Sequence, residues 1–471
     1  MNYRTVCGLE VHTELLTASK IFCSCSTRFG AEPNTQCCEI CTGMPGTLPQ
    51  LNAKVVEFAV RAGLALHCDI TKYNNFDRKN YFYPDLPKAY QISQLYLPIC
   101  RDGYIELDSG RKIRIKEIHM EEDAGKLFHE NGKTLINYNR CGVPLLEIVS
   151  APDIRTPEEA GEFARKLRDV LRFCGVSDCK MQEGSLRADV NVSVMNENSD
   201  VFGTRTEMKN INSFTAIEKA VETESKRQIE LLENGGAVRL ETRRWDDRKN
   251  TSFAMRKKEE APHYKYFPEP DIPPLVLDDA YIEEIRRTLP ELPDEKKRRY
   301  VDDLGISAYD AAVICTDLAY VRLFEKTAAL TGQPKESANW ILGEVMYHLS
   351  ESGTLPEEMR FSAASLAQII TLLTEGKISR ATAKAVFERV FYDDVNPTEY
   401  IETKALFLDN NTDEIERVVA EVIANNPKAV AEYQSGKEKA IGYLIGQAMK
   451  RLGGKASAPD VSRIITSKLQ Q

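Results

Sequence analysis

Apolar and polar residues change their spacing once along this chain, and the change falls near residue 290. Before it, short runs alternate with period two, the spacing of a strand with one face buried. These runs cover 6–15, 111–120, 188–194 and 203–209. In the first, Cys7, Leu9, Val11 and Leu15 alternate with Gly8, Glu10, His12 and Glu14. Two helices stand among the strands. One begins in TPEEAGEFARKLRDVLRF: Thr156 is its cap candidate, Glu159 follows three residues on, and Phe163, Leu167, Val170 and Leu171 form a stripe. The other runs from about Ser213 through IEKAVETESKRQIELLENGG and stops at Gly235–Gly236.

A proline-rich break, YFPEPDIPPL at 266–275, closes this region. Beyond it the pattern is helical. TLPELPDEKKRRYVDDLG, SAYDAAVICTDLAYVRLFEKTAALTG and SANWILGEVMYHLSESG read as helices separated by Gly or Pro, and 362–391 reads as two more. Three further helices are expected after about 410. Ile441, Leu444, Ile445 and Ala448 stripe one of them; Val461, Ile464, Ile465 and Leu469 stripe another. The expected class is α+β: a large mixed domain with an antiparallel sheet, then helices only. No fixed-period repeat and no low-complexity tract interrupts it.

Composition narrows the class. A length of 471 residues suggests roughly three domains. With 42% hydrophobic and 28% charged residues the chain is an ordinary globular one, not a disordered one. No apolar run reaches the roughly 18 residues of a membrane span. The start, MNYRTVCGLEVHTEL, lacks a basic-then-apolar segment with a cleavage site, so no signal peptide is expected and the cytosol is the expected home. Net charge is 62 − 71 = −9, which argues against a sequence-blind nucleic-acid coat. A local basic patch remains open: 432–471 holds seven Lys/Arg against three Asp/Glu.

The polar positions carry the chemistry. Period two puts Glu10, His12 and Glu14 on one strand face. His119, Glu121, Glu122 and Asp123 crowd together in IHMEEDAGK; Asp189, Asn191 and Ser193 share a face, as do Arg205, Glu207 and Lys209. Glu147 sits inside the apolar run PLLEIVSAPD, where an unpaired carboxylate is costly. Carboxylates on several strands with nearby cations suit a magnesium–nucleotide site, although histidine is an unusual magnesium ligand. No GxxxxGK[ST] or GxGxxG phosphate loop is present, and no GxSxG elbow or Gly/Ser-rich amidase signature.

Five of the twelve cysteines fall within 19 residues. Cys23-x-Cys25 and Cys38-x-x-Cys41 offer four thiolates in two close pairs, the pattern of a closed structural zinc knuckle. Cys37 competes for the fourth place. Cys7, Cys68, Cys100, Cys141, Cys174, Cys179 and Cys315 read as small buried hydrophobes. The stretch FDRKNYFYPDLPKAYQISQ (76–94) is either an edge loop or a rigid surface for a nucleotide or RNA end. In the second reading Arg78, Lys79 and Lys88 meet phosphate and Tyr81, Phe82, Tyr83 or Tyr90 stack. The segment 255–271 has a similar make-up, and its His263 reads as a surface histidine.

GLEVHTEL, SKIFCSCS with CCEICTGMPGTLP, FDRKNYFYPDLPKAYQISQ, HMEEDAGK, NRCGVPLLEIVSAPD, RADVNVSV, GTRTEMKNINSF and YFPEPDIPPL occur in this order. Together they closely resemble the GatB family, the B subunits of the bacterial aspartyl/glutamyl-tRNA amidotransferases. The C-terminal third resembles the GatB/YqeY helical region. The similarity covers essentially the whole chain. Ala89 stands where that family has Gly, Cys38-Glu-Ile-Cys41 replaces CPVC, and PHYKYFPEPD replaces HDYRYFPEPD. None of these removes a presumed ligand.

The resemblance implies a cradle domain at 1–293 with the ATP site, a helical domain at 294–407 and a YqeY-like tail at 408–471. It implies a carbon–nitrogen ligase that converts Glu-tRNA(Gln), and often Asp-tRNA(Asn), to the cognate amide. Glutamine is the nitrogen donor. Two partners are implied, an amidase (the A subunit) and a small strap (the C subunit), in a heterotrimer. ATP phosphorylates the tRNA-bound carboxylate and ammonia displaces phosphate. On this basis Glu10, His12, Glu122 and Glu147 are expected around Mg²⁺, with Glu121, Glu207 and Asp189 as second choices. Lys79, Lys88, Arg205 and Lys209 are expected on phosphates or the substrate carboxylate. Lys450, Arg451 and Lys455 are expected on tRNA. The alternative is a non-catalytic tRNA-binding or assembly protein with a structural zinc.

Overall fold

The first strand, Tyr3–Glu14, is the middle strand of a nine-stranded sheet. The order across the sheet is Thr251–Lys257, Glu241–Asp246, Thr206–Ile211, Leu186–Asn196, Tyr3–Glu14, Pro144–Ser150, Lys112–Glu122, Cys100–Glu106 and Asp69–Ile70. Only Thr206–Ile211 and Glu241–Asp246 pair in parallel. The helix Phe214–Glu233 joins that pair, because a parallel junction needs a crossover. The computed structural model describes residues 2–257, 264–408, 412–434, 439–452 and 456–469.

The two faces of this sheet differ as the alternation predicts. Cys7, Leu9, Val11, Ile118, Met120, Leu146, Ile148, Val190 and Val192 are buried on one face. The helices Ala53–Ala65, Pro157–Phe173 and Phe214–Glu233 share one apolar core with them. Thr156 caps its helix as expected, its Oγ1 accepting from the Glu159 N–H, and Ser213 Oγ accepts from the Ala216 N–H at the start of the other. Gly235 takes a left-handed conformation just past the second helix. No helix among the described residues is long and apolar enough to cross a membrane.

A small sheet carries part of the site: Lys265–Pro268, Asp77–Asn80 and Tyr90–Ser93. The proline-rich segment is therefore a working part of this unit and not only a break. Its first residues pair with Asp77–Asn80, and Leu275–Val276 pairs with Tyr73–Asn74. Proline is compatible with such edge positions.

The chain divides into two compact units, Met1–Pro293 and Asp294–Gln471, and the whole is α+β. The second unit is helical. The stretch 307–332, expected as one helical segment, is two helices, Ala308–Ile314 and Leu318–Thr331, because Asp317 caps a new start. Ile341–Val345 is a π-helical turn inside the next segment. The tail holds four helices among the described residues where three were expected: Thr412–Asn425, Pro427–Gln434, Lys439–Arg451 and Ala458–Leu469. Pro427 cannot continue the preceding helix, and it opens a new one. Leu444, Ala448, Val461, Ile465 and Leu469 close a core with Val419 and Val422.

Candidate functional site

Residues opposite one another on paired strands share a face. His12 stands opposite Glu147 and Arg187, and Glu147 opposite His119. Glu10 stands opposite Asp189, and Asn191 opposite Glu207. Leu145 faces Glu14 on one side and Glu121 on the other. The register thus gathers ionisable side chains from five adjacent strands on the face away from the three helices.

They form two groups. In the first, His12 Nε2 lies 3.5 Å from both Glu121 Oε1 and Glu147 Oε2, and His119 Nε2 lies 2.8 Å from Glu147 Oε2. Ligand atoms of His12, Glu121 and Glu147 all lie within 4.8 Å of one another. Burial opposes the charge on His12, but the hydrogen bond and charge of Glu147, then Glu121, raise it to about 9. Burial likewise opposes the charge on Glu147, but His119 and His12 hold it well below the carboxylate range. Glu121 is pushed up by burial and then by the Glu147 charge.

In the second group, ligand atoms of Glu10, Asp189 and Glu207 lie within 4.8 Å of one another. Here the chain supplies its own cation. Lys209 Nζ is hydrogen-bonded to Asp189 and lies 3.1 Å from Glu207 Oε1. Thr242 Oγ1 donates to Glu207 Oε2 at 2.8 Å. The Asn191 amide donates to Glu10 at 2.9 Å, while its Oδ1 is buried with no partner among the described residues. Glu10 is pushed up by burial and by Glu147 and Glu207, so it feels both groups.

Lys79 overlooks the first group from the small sheet. Burial opposes its charge, but Glu121, Tyr266 and Glu147 outweigh that and raise it. Its ammonium sits 5.0 Å from the Tyr264 ring centre. Other expected cations are engaged differently. Arg78 is bound by Glu269 at 2.6 Å and Asp271 at 2.8 Å, and its guanidinium stacks 4.2 Å from the Tyr90 ring. Arg78 is thereby committed to holding the 265–275 segment. Arg205 is exposed just before the strand Thr206–Ile211.

Glu122 is not brought to the His12–Glu147 group. It is one residue out of phase with His119, so it faces the other side of the sheet. There it is hydrogen-bonded to Lys88 and accepts the Ile92 N–H at 2.9 Å. Glu121 takes the place expected of it. Counting by twos from His119 selects Glu121 from the sequence. Sequence reasoning also misses Arg187, opposite His12; it holds Asp123 at 2.9 Å, with Arg140 at 3.3 Å.

The four knuckle thiols Cys23, Cys25, Cys38 and Cys41 lie within 4.8 Å of one another. Cys41 is drawn down to about 4 by the hydrogen bond from Cys23, then by the Cys38 backbone N–H and the Lys20 charge. A ready thiolate among four converging sulfurs fits tetrahedral zinc. Cys37 is turned away, its thiol 3.3 Å from the Asn34 carbonyl. A cavity of about 220 Å³ is lined by this loop together with Lys88 and Glu122. In the tail, Lys450 and Arg451 are exposed, and Arg451 lies 3.4 Å from Glu421. Lys455 and His263 lie outside the described residues.

Comparison with known proteins shows the family. Residues 5–283 match the GatB/GatE catalytic domain, and 322–469 match the GatB domain. The chain is 53% identical to the B subunit of the aspartyl/glutamyl-tRNA(Asn/Gln) amidotransferase of Caldicellulosiruptor bescii over 479 residues, covering all of both chains. It is 53% identical to the protein of the same name from Lachnoclostridium phytofermentans over 474 residues, covering all of this chain and 99% of the other. A third protein of that name, from Caldicellulosiruptor saccharolyticus, is 52% identical over the full length of both. With matches of that extent over both parts, the chain belongs to the GatB/GatE family.

Proposed function

We propose that this chain is the B subunit of a tRNA-dependent amidotransferase, a ligase of protein biosynthesis in the cytoplasm, and that it holds the ATP-using site. The observation that carries this reading is the acid-rich group on the open sheet face: His12, Glu121 and Glu147, with Glu10 beside them. Two carboxylates there, Glu121 and Glu147, share two imidazoles, and Asn191 Oδ1, beside Glu10, has no partner among the described residues. Such a set fits Mg²⁺, with imidazole as its least usual member. Bound there, Mg²⁺ would offset the charge that develops in phosphoryl transfer.

The chain's own residues do the rest. Glu10, His12, Glu121 and Glu147 would hold the cation. Lys79 reaches the same space and meets the γ-phosphate or the carboxylate of the tRNA-bound amino acid. Lys209 supplies the counter-charge beside Asp189 and Glu207. Carboxylate oxygen attacks the γ-phosphorus, ADP leaves, and ammonia then attacks the acyl carbon with loss of phosphate. Ammonia comes from a partner amidase, held with a small third protein in a heterotrimer. The substrate is Glu-tRNA(Gln), Asp-tRNA(Asn) or both. Cys23, Cys25, Cys38 and Cys41 hold a structural zinc that leaves no open position for chemistry. The segment 408–471 acts as a separate tail domain whose Lys450, Arg451 and Lys455 add tRNA affinity.

The test is amide formation on Glu-tRNA(Gln) by the assembled heterotrimer, with ammonium in place of glutamine. Product is expected only with ATP and Mg²⁺, and its loss on Glu10→Ala or Glu147→Gln. Intact activity in both variants would overturn the site. Deletion of 411–471 is expected to raise the KM for tRNA more than it lowers kcat. One zinc per chain is expected, and none after Cys41→Ser.

A further inference from the structure

Exposed aromatic rings on a rigid turn stand out because folding ordinarily hides them. Phe82 is 89% exposed and Tyr83 57% exposed. The turn that carries them joins Asp77–Asn80 to Tyr90–Ser93 and is tightly held. The Tyr81 N–H donates to the Ala89 carbonyl at 3.1 Å, and the Leu86 N–H to the Tyr83 carbonyl at 3.0 Å. The Tyr138 hydroxyl donates to the Pro84 carbonyl at 2.9 Å, and the Gly125 N–H to the Asp85 carbonyl at 2.8 Å. Pro84 and Pro87 restrict the backbone further. The two rings are thus presented at little remaining entropic cost to whatever binds them.

Their neighbours say what that is. Tyr81 is turned inward, packed edge-on against Tyr264 with centroids 5.7 Å apart. Phe82 is three residues from Lys79, a span of at most ~10 Å of extended chain. Lys79 in turn feels Glu121 and Glu147 directly. A glutamyl or aspartyl side chain reacting at that group is esterified to the terminal ribose of its RNA. The base on that ribose then lies about one such span away. Exposed lysines flank the turn: Lys265 is paired with Asn80 in register, and Lys126 follows the Gly125 that bonds the turn. Exposed rings on a turn flanked by exposed lysines match a nucleobase joined to phosphates.

We propose that Phe82 and Tyr83 form the stacking platform for the unpaired 3′-terminal base of the aminoacylated RNA. Stacking there positions the ester, so that its side-chain carboxylate reaches the Glu121–Glu147 group. This rests on the function proposed above and assigns the two rings a role in positioning rather than in bond making.

The experiment uses the assembled heterotrimer. Phe82→Ala with Tyr83→Ala is expected to raise the KM for Glu-tRNA(Gln) about tenfold, the order of one lost base stack, with the KM for ATP unmoved. Deacylated tRNA serves as a competing probe, intact or shortened by its 3′-terminal nucleotide. The unaltered enzyme should bind the intact form about tenfold better, and the double variant should bind both alike. A Phe82→Trp variant gives a direct signal: its fluorescence should be quenched by intact tRNA and not by the shortened form. Equal preference in the unaltered enzyme, or a preference that survives the double variant, overturns the proposal. So does loss of the partner proteins on gel filtration of the double variant, which would make this surface a protein contact. If Glu147→Gln keeps full activity while the fluorescence signal persists, the cation site fails and the platform stands.

Discussion

Glu121 and Glu122 are adjacent in sequence, and both are almost fully buried, yet they end in opposite electrostatic situations. Glu122 meets Lys88, whose side chain is 7% exposed, and a backbone N–H. The chain brings both charges, so that side of the sheet is balanced and closed. Glu121 shares two imidazoles with Glu147 and is pushed up by burial and by that second carboxylate. Its side has an excess of acid. A buried carboxylate with its own lysine is a structural element, whereas a surplus of carboxylates invites a cation from solution. One step along a strand separates the two outcomes.

The contrast can be broken at either residue. Glu121→Gln is expected to cut ATP-dependent amide formation by ~10²–10³-fold, because it removes charge from the cation's shell. Its effect on unfolding should be small, since it also removes a repulsion from Glu147. Glu122→Gln is expected to do the reverse. It leaves the Lys88 ammonium buried without a counter-charge, and denaturant unfolding should show a loss of ~3 kcal/mol. If the two variants exchange these behaviours, the division between an open and a closed side is wrong.

Sequence alone reveals the alternating strands, both capped helices and the cysteine pairs, because each is a local pattern. Thr156 with Glu159, and Gly235 after the second helix, are readable from a few residues. Pairing partners are not local. Nothing in PLLEIVSAPD says that Glu147 faces both His12 and His119, yet that register makes the site. The parity of Glu121 and Glu122 is, by contrast, local: counted from His119, it puts Glu121 and not Glu122 on the face of His12 and Glu147. The small sheet is hidden in the sequence because its third strand comes from a proline-rich run that reads as a break. The split of the tail into four helices is legible at Asn426–Pro427, where the residue before proline disfavours helix.

Two smaller substitutions test how the closed side is built. Gly43 in the cysteine loop has φ +71, and a Cβ there would lie 2.5 Å from Lys88 Cγ and 3.1 Å from Lys88 Cα. The backbone atom cannot swing aside as a side-chain tip would. Gly43→Ala is therefore expected to cost ~2 kcal/mol, from left-handed strain and overpacking together. Thermal unfolding would measure it, and an unchanged midpoint would mean that the loop does not hold Lys88.

Ala89, next to Lys88, shows the converse. Its φ is +64, a conformation that suits glycine. The conformation is held because the Ala89 N–H donates to the Leu86 carbonyl and its own carbonyl accepts from Tyr81. Ala89→Gly removes a penalty of about 1 kcal/mol and returns part of it as extra freedom in the unfolded chain. The net expectation is a gain of ~0.5 kcal/mol, seen as a rise of ~1 °C in Tm. The Lys88–Glu122 pair should be untouched, because the backbone path is the same. A fall in Tm would mean that the alanine methyl packs usefully, and that this turn owes its shape to side chains and not to its hydrogen bonds.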